Sequence, residues 1–255
     1  MILNKIAGVF RAISGSPHPK NFTSAIIAAA GMSTRFGGDT TKQMTELCGR
    51  PVLFHTLLAY QKTECIHEII IVAKKDEIPE WEKLCKRYGL SKVKKIIPGG
   101  KTRQLSVMNG LDAVSKESKF VAIADGARCL TTSEQIEAVC RAAYKYKAAT
   151  AAHRSTDTVK IADKKGFISE TADRDFIWLM QTPQVFKTNL YRAAAYTAFK
   201  DSFEATDDNS LVEYVGHQIR LVECGANNIK ITTKADLVVA EAILKERRKV
   251  DGTAI

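Results

Sequence analysis

The sequence lacks the features that mark membrane-spanning proteins and zinc proteins. No apolar run approaches the roughly 18 residues of a membrane-spanning helix. None of the six cysteines forms a CxxC pair or stands at zinc-ligand spacing with the five histidines. We therefore expect no membrane span, no cysteine zinc site, and reduced thiols in a cytoplasmic protein. The cysteines are Cys48, Cys65, Cys85, Cys129, Cys140 and Cys224.

Two common phosphate-binding loops are also missing. The chain contains no GxGxxG, which argues against a dinucleotide-binding fold. The segment Gly99-Gly100-Lys101-Thr102 is similar to the end of a Walker loop, but Lys95 stands where that loop needs its first glycine. Internal repeats and low-complexity stretches are absent as well. With 255 residues and 45% hydrophobic content, the chain suits one α/β domain.

The chain is basic, with a formal net charge of +10. Such a charge fits a nucleic-acid partner, a membrane surface or a site for polyanionic small molecules. The basic residues are spread along the chain without a long block or interleaved aromatic residues. We therefore expect small anionic substrates, with no nucleic-acid partner and no stable membrane association.

Residues 1–22 are interpreted as an N-terminal extension, followed by a catalytic domain over residues 23–250. The extension carries Lys5 and Arg11, but no A-x-A-like cleavage site follows an apolar core, so we expect no secretory signal. Two interpretations of the extension stay open, a frayed segment and a weakly amphipathic segment that lies on a membrane surface.

Strand and helix patterns alternate along most of the chain. Repeated βα units predict a single, doubly wound, mostly parallel sheet of the α/β class. The segment Glu68 to Ala73 is continuously apolar after its first residue, as in a strand that is covered on both faces. The predicted strands are 24–29, 68–73, 93–97, 120–124, 148–153, 219–222 and 230–232. The predicted helices are 51–61, 81–88, 103–114, 133–147, 188–199, 209–215 and 234–248.

The βα alternation stops after His153. Two short strand patterns, 158–161 and 167–170, flank the turn residues 163–166, Asp-Lys-Lys-Gly. Such spacing predicts a β-hairpin. We interpret residues 153–184 as a hairpin arm that protrudes from the sheet.

The segment Ala28 to Gly38, followed by Lys42 and Gln43, is the strongest candidate for a nucleotide loop. It comes directly after the first predicted strand, where ligands bind in open α/β sheets. Small residues let backbone N–H groups approach phosphates, and Arg35 and Lys42 add two cations. Fixed cations stabilise the charge that develops when an α-phosphate is attacked. The alternative is a plain strand-to-helix loop with solvated charges.

Three further sites, namely Arg103 with Ser106, Asp125, and Lys230, have both a functional and a structural interpretation. Arg103 and Ser106 begin a predicted helix, which offers N–H groups and a hydroxyl to a ligand, or is an ordinary helix start. Asp125 ends a buried strand, where it could hold Mg²⁺ or act as a helix cap or ion-pair partner. Lys230 could reach a phosphate or be an exposed edge lysine. The segment 181–184 is interpreted as an extended turn whose Thr182 hydroxyl is available.

Seven motifs in order resemble those of the 2-C-methyl-D-erythritol 4-phosphate cytidylyltransferase family, over roughly residues 23–248. The first is the loop AAGMSTRFG with Lys42-Gln43, similar to the AAGxxxRxG...KQ of sugar-phosphate nucleotidylyltransferases. The other six are GGKTRQLSV with Gly110-Leu111, Asp125-Gly126-Ala127-Arg128, Asp157-Thr158-Val159-Lys160, Arg174 with Gln181-Thr182-Pro183-Gln184-Val185-Phe186, Thr206-Asp207-Asp208, and Asn228-Ile229-Lys230-Ile231-Thr232.

The resemblance implies a Rossmann-like nucleotidyltransferase fold and a direct displacement. CTP would bind with Mg²⁺, a methylerythritol phosphate would attack the α-phosphate, and pyrophosphate would leave. It also implies a homodimer whose arms interlock and deliver Arg174 across the interface. The implied catalytic residues are Arg35, Lys42, Arg174 and Lys230, and the implied metal ligand is Asp125. The nucleotide would be held by Ala29, Ala30, Gly31, Ser33, Gly100, Arg103, Ser106 and Gly126. The acceptor would be held by Asp125, Arg128, Thr158, Lys160, Arg174, Thr182 and Lys230.

The chain departs from the family pattern at four positions: Ser33, Ala124, Cys129 and Asn227. The family usually has Gly, His, Pro and Asp there, so the geometry of the metal and acceptor loop is in question. Two rival functions remain: a ribitol-5-phosphate cytidylyltransferase, and a non-catalytic nucleotide-binding homologue.

Overall fold

A computed structural model of the chain describes residues 19–31, 36 and 41–251. The extension predicted for residues 1–22 lies outside this part of the chain except for its last four residues. The described strands are β1 (Thr23–Ala28), β2 (Glu46–Leu47), β3 (Arg50–Pro51), β4 (Ile66–Ala73), β5 (Val93–Pro98), β6 (Phe120–Asp125), β7 (Ala148–Arg154), β8 (Lys160–Ala162), β9 (Ile168–Thr171), β10 (Trp178–Lys187) and β11 (Arg220–Glu223). The described helices are α1 (Val52–Lys62), α2 (Ile78–Arg87), α3 (Arg103–Ala113), α4 (Ser133–Tyr146), α5 (Thr188–Lys200), α6 (Asp208–Tyr214) and α7 (Lys234–Asp251).

A mixed sheet with the strand order β11-β7-β10-β6-β1-β4-β5 forms the centre of the fold. β1 pairs in parallel with both β4 and β6, so Ile26 lies between Ile70 and Ile123. β10 is antiparallel to β6 and β7, whereas the other pairings in this sheet are parallel. The prediction of an α/β fold with one mostly parallel sheet is thus confirmed.

Helices cover both faces of the sheet, which explains why its central strands are apolar on both sides. On one face, α1, α2 and α4 bury Leu57, Trp81 and Val139 against the sheet. On the other, α3, α5 and α6 bury residues that include Leu111 and Tyr191. Burial of this kind stabilises the fold at roughly 25 cal/mol per Å² of apolar surface. Among the described residues, no helix is long and apolar enough to span a bilayer.

β10 is the principal element that the sequence pattern did not predict. The sequence predicts an extended turn over residues 181–184, because the residue before a proline is restricted to extended conformations. The structure places this stretch within the strand, where the pairing with β7 shifts register between Met180 and Gln184. The predicted strand at 230–232 is wrong: these residues form no strand, although the N–H of Ile231 donates to the carbonyl of Ala127 at 2.9 Å.

The hairpin predicted after His153 is present as β8 and β9. Its turn is held by Asp163, whose side chain accepts the N–H groups of Lys165 and Phe167 at 2.9 and 3.0 Å. Gly166 has a φ of +87°, a conformation that glycine adopts without steric cost. Both strands are solvent-exposed in the single chain.

Candidate active site

A cleft of about 410 Å³ opens at the carboxyl ends of β1 and β6. This is where ligands bind in open α/β sheets. It lies between the end of β1, the loop that leads into α3, and the segment that precedes α7. The lining residues are Ala28, Ala30, Gly31, Lys42, Gln43, Gly100, Lys101, Thr102, Arg103, Ser106, Asp125, Gly126, Ala127 and Lys230.

Asp125 stands at the centre of a cluster of three cations. Lys230 Nζ lies 2.8 Å from its Oδ2, Arg103 Nε lies 3.4 Å from Oδ1, and Arg128 Nε lies 3.7 Å from Oδ2. Burial alone would raise the pKa of Asp125, but Arg103, Lys230 and Arg128 together hold that pKa well below its usual range. The carboxylate therefore stays ionised at neutral pH, and the cluster keeps an excess of positive charge.

The loop before α3 is shaped by its own hydroxyl groups. Thr102 caps α3, because its Oγ1 accepts the N–H of Leu105 at 3.1 Å. Ser106 Oγ accepts the N–H of Gly100 at 3.0 Å and donates to the carbonyl of Thr102 at 2.8 Å. A Cβ on Gly99 would lie 2.4 Å from the Cβ of Ala30. The loop can therefore lie this close to the end of β1 only because residue 99 has no side chain.

Two hydroxyl groups hold the Asp125-Gly126 turn from behind. The N–H of Asp125 donates to Thr182 Oγ1 at 3.1 Å, and Thr56 Oγ1 donates to the carbonyl of Gly126 at 3.0 Å. Thr182 is buried, and its peptide bond to Pro183 is cis. Thr182 Oγ1 thus serves the Asp125 loop as an acceptor, and donation of its hydroxyl hydrogen to a ligand stays a prediction.

Arg128 braces the segment that carries Lys230. Its Nη1 donates to the carbonyl of Asn228 at 2.6 Å, and its Nη2 donates to the carbonyl of Met180 at 3.1 Å. The Asn228 side chain donates to the carbonyl of Thr182 at 2.9 Å and accepts from Thr131 Oγ1 at 2.7 Å. These bonds fix the backbone just before Lys230, so Arg128 shapes the site as well as adding charge to it.

Arg103 is held between two carboxylates. Besides its contact with Asp125, its Nη2 lies 2.7 Å from Asp208 Oδ2. Asp208 is fully buried, and the hydroxyl of Tyr191 donates to its other oxygen at 2.5 Å. Asp208 belongs to the motif Thr206-Asp207-Asp208, which by itself indicates no role for this residue. Nothing in the local pattern links it to Arg103, which lies about a hundred positions away.

The three predicted acceptor residues of the arm lie outside the cleft within one chain. Thr158, Lys160 and Arg174 are exposed and do not line it. Lys160 Nζ donates to Thr171 Oγ1 at 2.6 Å across the hairpin, and Arg174 begins a short 3₁₀ helix after Asp173. The structure therefore separates these residues from Asp125 and Lys230 in a single chain.

Of the other predicted residues, most meet at the cleft. Arg35 and Ser33 lie outside the described residues. Ala29 is buried behind the cleft, where its N–H donates to the carbonyl of Val72 at 2.7 Å. The predicted residues that line the cleft are Ala30, Gly31, Lys42, Gly100, Arg103, Ser106, Asp125, Gly126 and Lys230. Their roles as ligands stay predictions.

An open α/β sheet whose cleft combines a small-residue loop with lysine and arginine side chains is the arrangement expected of a nucleotide-binding transferase. The family model of 2-C-methyl-D-erythritol 4-phosphate cytidylyltransferase matches residues 23–246. The chain belongs to this family. It is therefore an enzyme, a nucleotidyltransferase.

Individual relatives agree with this assignment over nearly their whole length. A protein of Caldanaerobacter subterraneus subsp. tengcongensis with this name is 44% identical over 224 residues, covering 88% of this chain and 99% of its own. One from Pelotomaculum thermopropionicum is 41% identical over 226 residues, covering 88% of this chain and 95% of its own. The crystal structure of 4-diphosphocytidyl-2C-methyl-D-erythritol synthase from Anaerococcus prevotii has a TM-score of 0.79 at 34% identity, covering 88% of this chain and 99% of that one.

Proposed function

We propose that the cleft binds CTP, and that the enzyme transfers its cytidylyl group to 2-C-methyl-D-erythritol 4-phosphate. The products are the CDP-linked alcohol and pyrophosphate, on a route to isoprenoid precursors. One observation carries this proposal: a single ionised carboxylate, Asp125, lies among Lys230, Arg103 and Arg128 at the end of a buried strand. That centre joins a small-residue loop, as a phosphate-transfer site requires.

The reaction proceeds by direct displacement. The acceptor phosphate is already an anion, so its oxygen attacks the α-phosphate in line without a covalent enzyme intermediate. Lys42 and Arg35 stabilise the charge on the α-phosphate and on the leaving pyrophosphate. Lys230 and Thr182 help to position the acceptor phosphate near that centre. Positioning and charge stabilisation then supply the catalysis.

Mg²⁺ is the cofactor that we assign to the bound nucleotide. Asp125 is the carboxylate that would hold it, since Mg²⁺ takes one or two carboxylates and completes its shell with waters and phosphate oxygens. The fit rests on Asp125, whose carboxylate lines the cleft at the end of β6. In the described part of the chain, no cluster of three or more His, Cys, Asp or Glu side chains offers a second metal site. A Mg²⁺ ion held there by Asp125 would neutralise charge on the phosphates.

The hairpin arm completes the site of a second chain in a homodimer. Its strands and the following turn expose apolar side chains in the single chain, with Phe167 70% and Phe176 79% exposed. An isolated two-stranded hairpin is marginally stable in water, so this surface needs a partner. In a twofold dimer, Thr158, Lys160 and Arg174 of each arm would reach the partner's acceptor site.

The cytoplasm is the compartment that fits the thiols. All six cysteines are free, and three of them are buried. Burial raises the pKa of Cys129 to about 12, which keeps that thiol protonated and unreactive.

The function is tested by measuring pyrophosphate release with CTP and two acceptors in parallel. We expect kcat/KM for methylerythritol 4-phosphate to exceed that for ribitol 5-phosphate by at least about 100-fold, as a site built to bond one set of hydroxyls should. A preference for ribitol 5-phosphate would replace the proposed acceptor. No release with either acceptor would indicate a non-catalytic homologue.

A further inference from the structure

Asp208 is a fully buried carboxylate that the proposed mechanism does not use. A buried charge is costly unless it is paired and hydrogen-bonded, and each oxygen of the Asp208 carboxylate has a polar partner. Arg103 Nη2 lies 2.7 Å from Oδ2, and the Tyr191 hydroxyl donates to Oδ1 at 2.5 Å. Gln184 Oε1 accepts the backbone N–H groups of Asp208 and Asn209 at 3.0 and 3.1 Å. The carboxylate is thus fixed in place before any ligand binds.

Arg103, in contrast, lies at the surface of the cleft and has a choice of partners. Its side chain is about one third exposed, and its Nε lies 3.4 Å from Asp125 Oδ1, a longer contact than the one to Asp208. A guanidinium can satisfy both carboxylates because it presents several donors in a fixed plane. Without Asp208, Asp125 would be the remaining carboxylate within reach, and the arginine would turn towards it.

The direction in which the Arg103 side chain would rotate matters for nucleotide binding. Arg103 lines the cleft together with Gly100, Thr102 and Ser106, the loop proposed to hold CTP. Asp125, the carboxylate proposed to hold Mg²⁺, already has contacts with Lys230 and Arg128. If Arg103 rotated onto Asp125, it would no longer lie beside the nucleotide. The apparent affinity for CTP would then fall in proportion to the fraction of molecules in which Arg103 is correctly placed.

We infer that Asp208 is a positioning residue, which holds the Arg103 guanidinium beside the loop of Gly100 and Thr102 and keeps it from rotating fully onto Asp125. Asp208 acts through Arg103 and does not itself contact the substrates. Tyr191 and Gln184 support it from the core, through the hydroxyl and the side-chain carbonyl described above. The inference rests on the proposed binding of CTP to this cleft.

A double-mutant cycle separates positioning from a structural role. CTP dissociation constants are measured by titration calorimetry on full-length wild type, Asp208→Asn, Arg103→Ala and the double variant. When Arg103 is present, we expect Asp208→Asn to weaken CTP binding about 10-fold, because Arg103 is correctly placed in a smaller fraction of the molecules. In the Arg103→Ala background, the same change should alter CTP binding by less than about 2-fold.

The matched control is Asp112→Asn. Asp112 also accepts from an arginine and a tyrosine, Arg192 at 2.7 Å and Tyr196 at 2.8 Å, but on the outside of α3 and α5. Its loss should leave CTP binding unchanged. If Asp208→Asn does not fold, Tyr191→Phe takes its place in the cycle, since it keeps the charge and removes one bond to the carboxylate. It should weaken CTP binding about 2- to 3-fold, again only when Arg103 is present.

Three outcomes overturn the inference. Equal losses in both Arg103 backgrounds mean that Asp208 acts through packing of α6. Unchanged CTP binding in Asp208→Asn means that Arg103 keeps its place without it. If the wild type binds no CTP, the proposed function fails and this inference fails with it, which the wild-type titration alone reveals.

Discussion

Lys230 Nζ lies 2.8 Å from Asp125 Oδ2, although the two residues are more than a hundred positions apart. The contact joins the end of a buried β-strand to a segment without regular structure. Ile231, the next residue, is tied to Ala127 by a backbone hydrogen bond of 2.9 Å. The ammonium group of Lys230 is therefore held in a fixed position by backbone and side-chain bonds that lie outside the cleft.

Replacement of Lys230 should impair chemistry more than folding. Lys230→Met keeps the length of the side chain and removes the charge, and we expect kcat to fall about 100-fold. Because the side chain is partly exposed, the urea midpoint should change little. Steady-state kinetics and urea unfolding measure both. Lys245→Met, which removes an exposed lysine paired with Glu241 on α7, is the control and should keep full activity.

Lys42 lines the same cleft from the loop after β1. We expect Lys42→Ala to lower kcat by about 100-fold or more, with a much smaller change in CTP affinity, because its charge acts mainly in the transition state. The check is a comparison of kcat with the CTP dissociation constant. Lys94→Ala, on the exposed edge strand β5, should match the wild type. Wild-type turnover in Lys42→Ala would remove this residue from the catalytic set.

The sequence predicted the parallel strands at the centre of the sheet and the cleft residues that follow them. It did not predict β10, which lies between β6 and β7. Apolar runs such as Ile69 to Ala73 identify buried strands, and Asp125 at the end of one such run marked the site. β10 was missed because Pro183 interrupts the pattern of a strand, and the adjacent strands β6 and β7 that accept it are distant in sequence. Local patterns carry no information about such pairings.

The same limit explains Asp208. Its neighbours in the chain mark only the start of a short helix, where Asp207 caps α6 by accepting the N–H of Ser210 at 3.0 Å. The ion pair with Arg103 depends on how α3 and α6 pack on one face of the sheet. For Arg128, the sequence predicts only that it binds the acceptor. Its bonds to the carbonyls of Asn228 and Met180 depend on the fold.

Asp236 should make stability depend on pH through the cap of α7. Its Oδ2 accepts the N–H groups of Thr232 and Thr233 and the hydroxyl of Thr232, each at 2.7 Å. Burial alone would raise the pKa of Asp236, but the bonds from Thr232 and Thr233 lower it. Since the folded pKa is depressed, its contribution is present above the unfolded value of about 4 and is lost as pH falls through the folded pKa.

We therefore expect Asp236→Asn to cost about 1 kcal/mol of unfolding free energy at pH 7, because a neutral amide oxygen accepts the bonds from Thr232 and Thr233 more weakly than a carboxylate does. The difference from the wild type should shrink as the pH is lowered from 5 to 3, within the approximate range where an aspartate titrates. Urea unfolding at each pH gives both values. The control is Glu80→Gln, because Glu80 is an exposed carboxylate that pairs with Lys83 on the surface. Asp163 is exposed too, but it holds the hairpin turn and is therefore unsuitable. A constant difference across this range would contradict the assignment.

The last prediction concerns the arm and follows from the separation of the site residues in one chain. Arg174 lies on the exposed arm, whereas Lys42 lines the cleft. If the arm completes the partner's site, Arg174→Ala and Lys42→Ala chains are each nearly inactive alone, because both sites of either homodimer lack one cation. A mixed dimer would carry one site with Lys42 from one chain and Arg174 from the other. Co-expressed chains with two different affinity tags allow that mixed dimer to be purified.

We expect the purified mixed dimer to recover about half of the wild-type kcat per dimer, as one intact site of two should. The matched control is a mixed dimer of Lys42→Ala with a chain carrying both substitutions, which has no intact site under either arrangement. An arm that folds onto its own chain instead leaves each site of the first mixed dimer with one missing cation. In that case the mixed dimer stays as inactive as its parents, and the shared site is rejected even though the protein still elutes as a dimer.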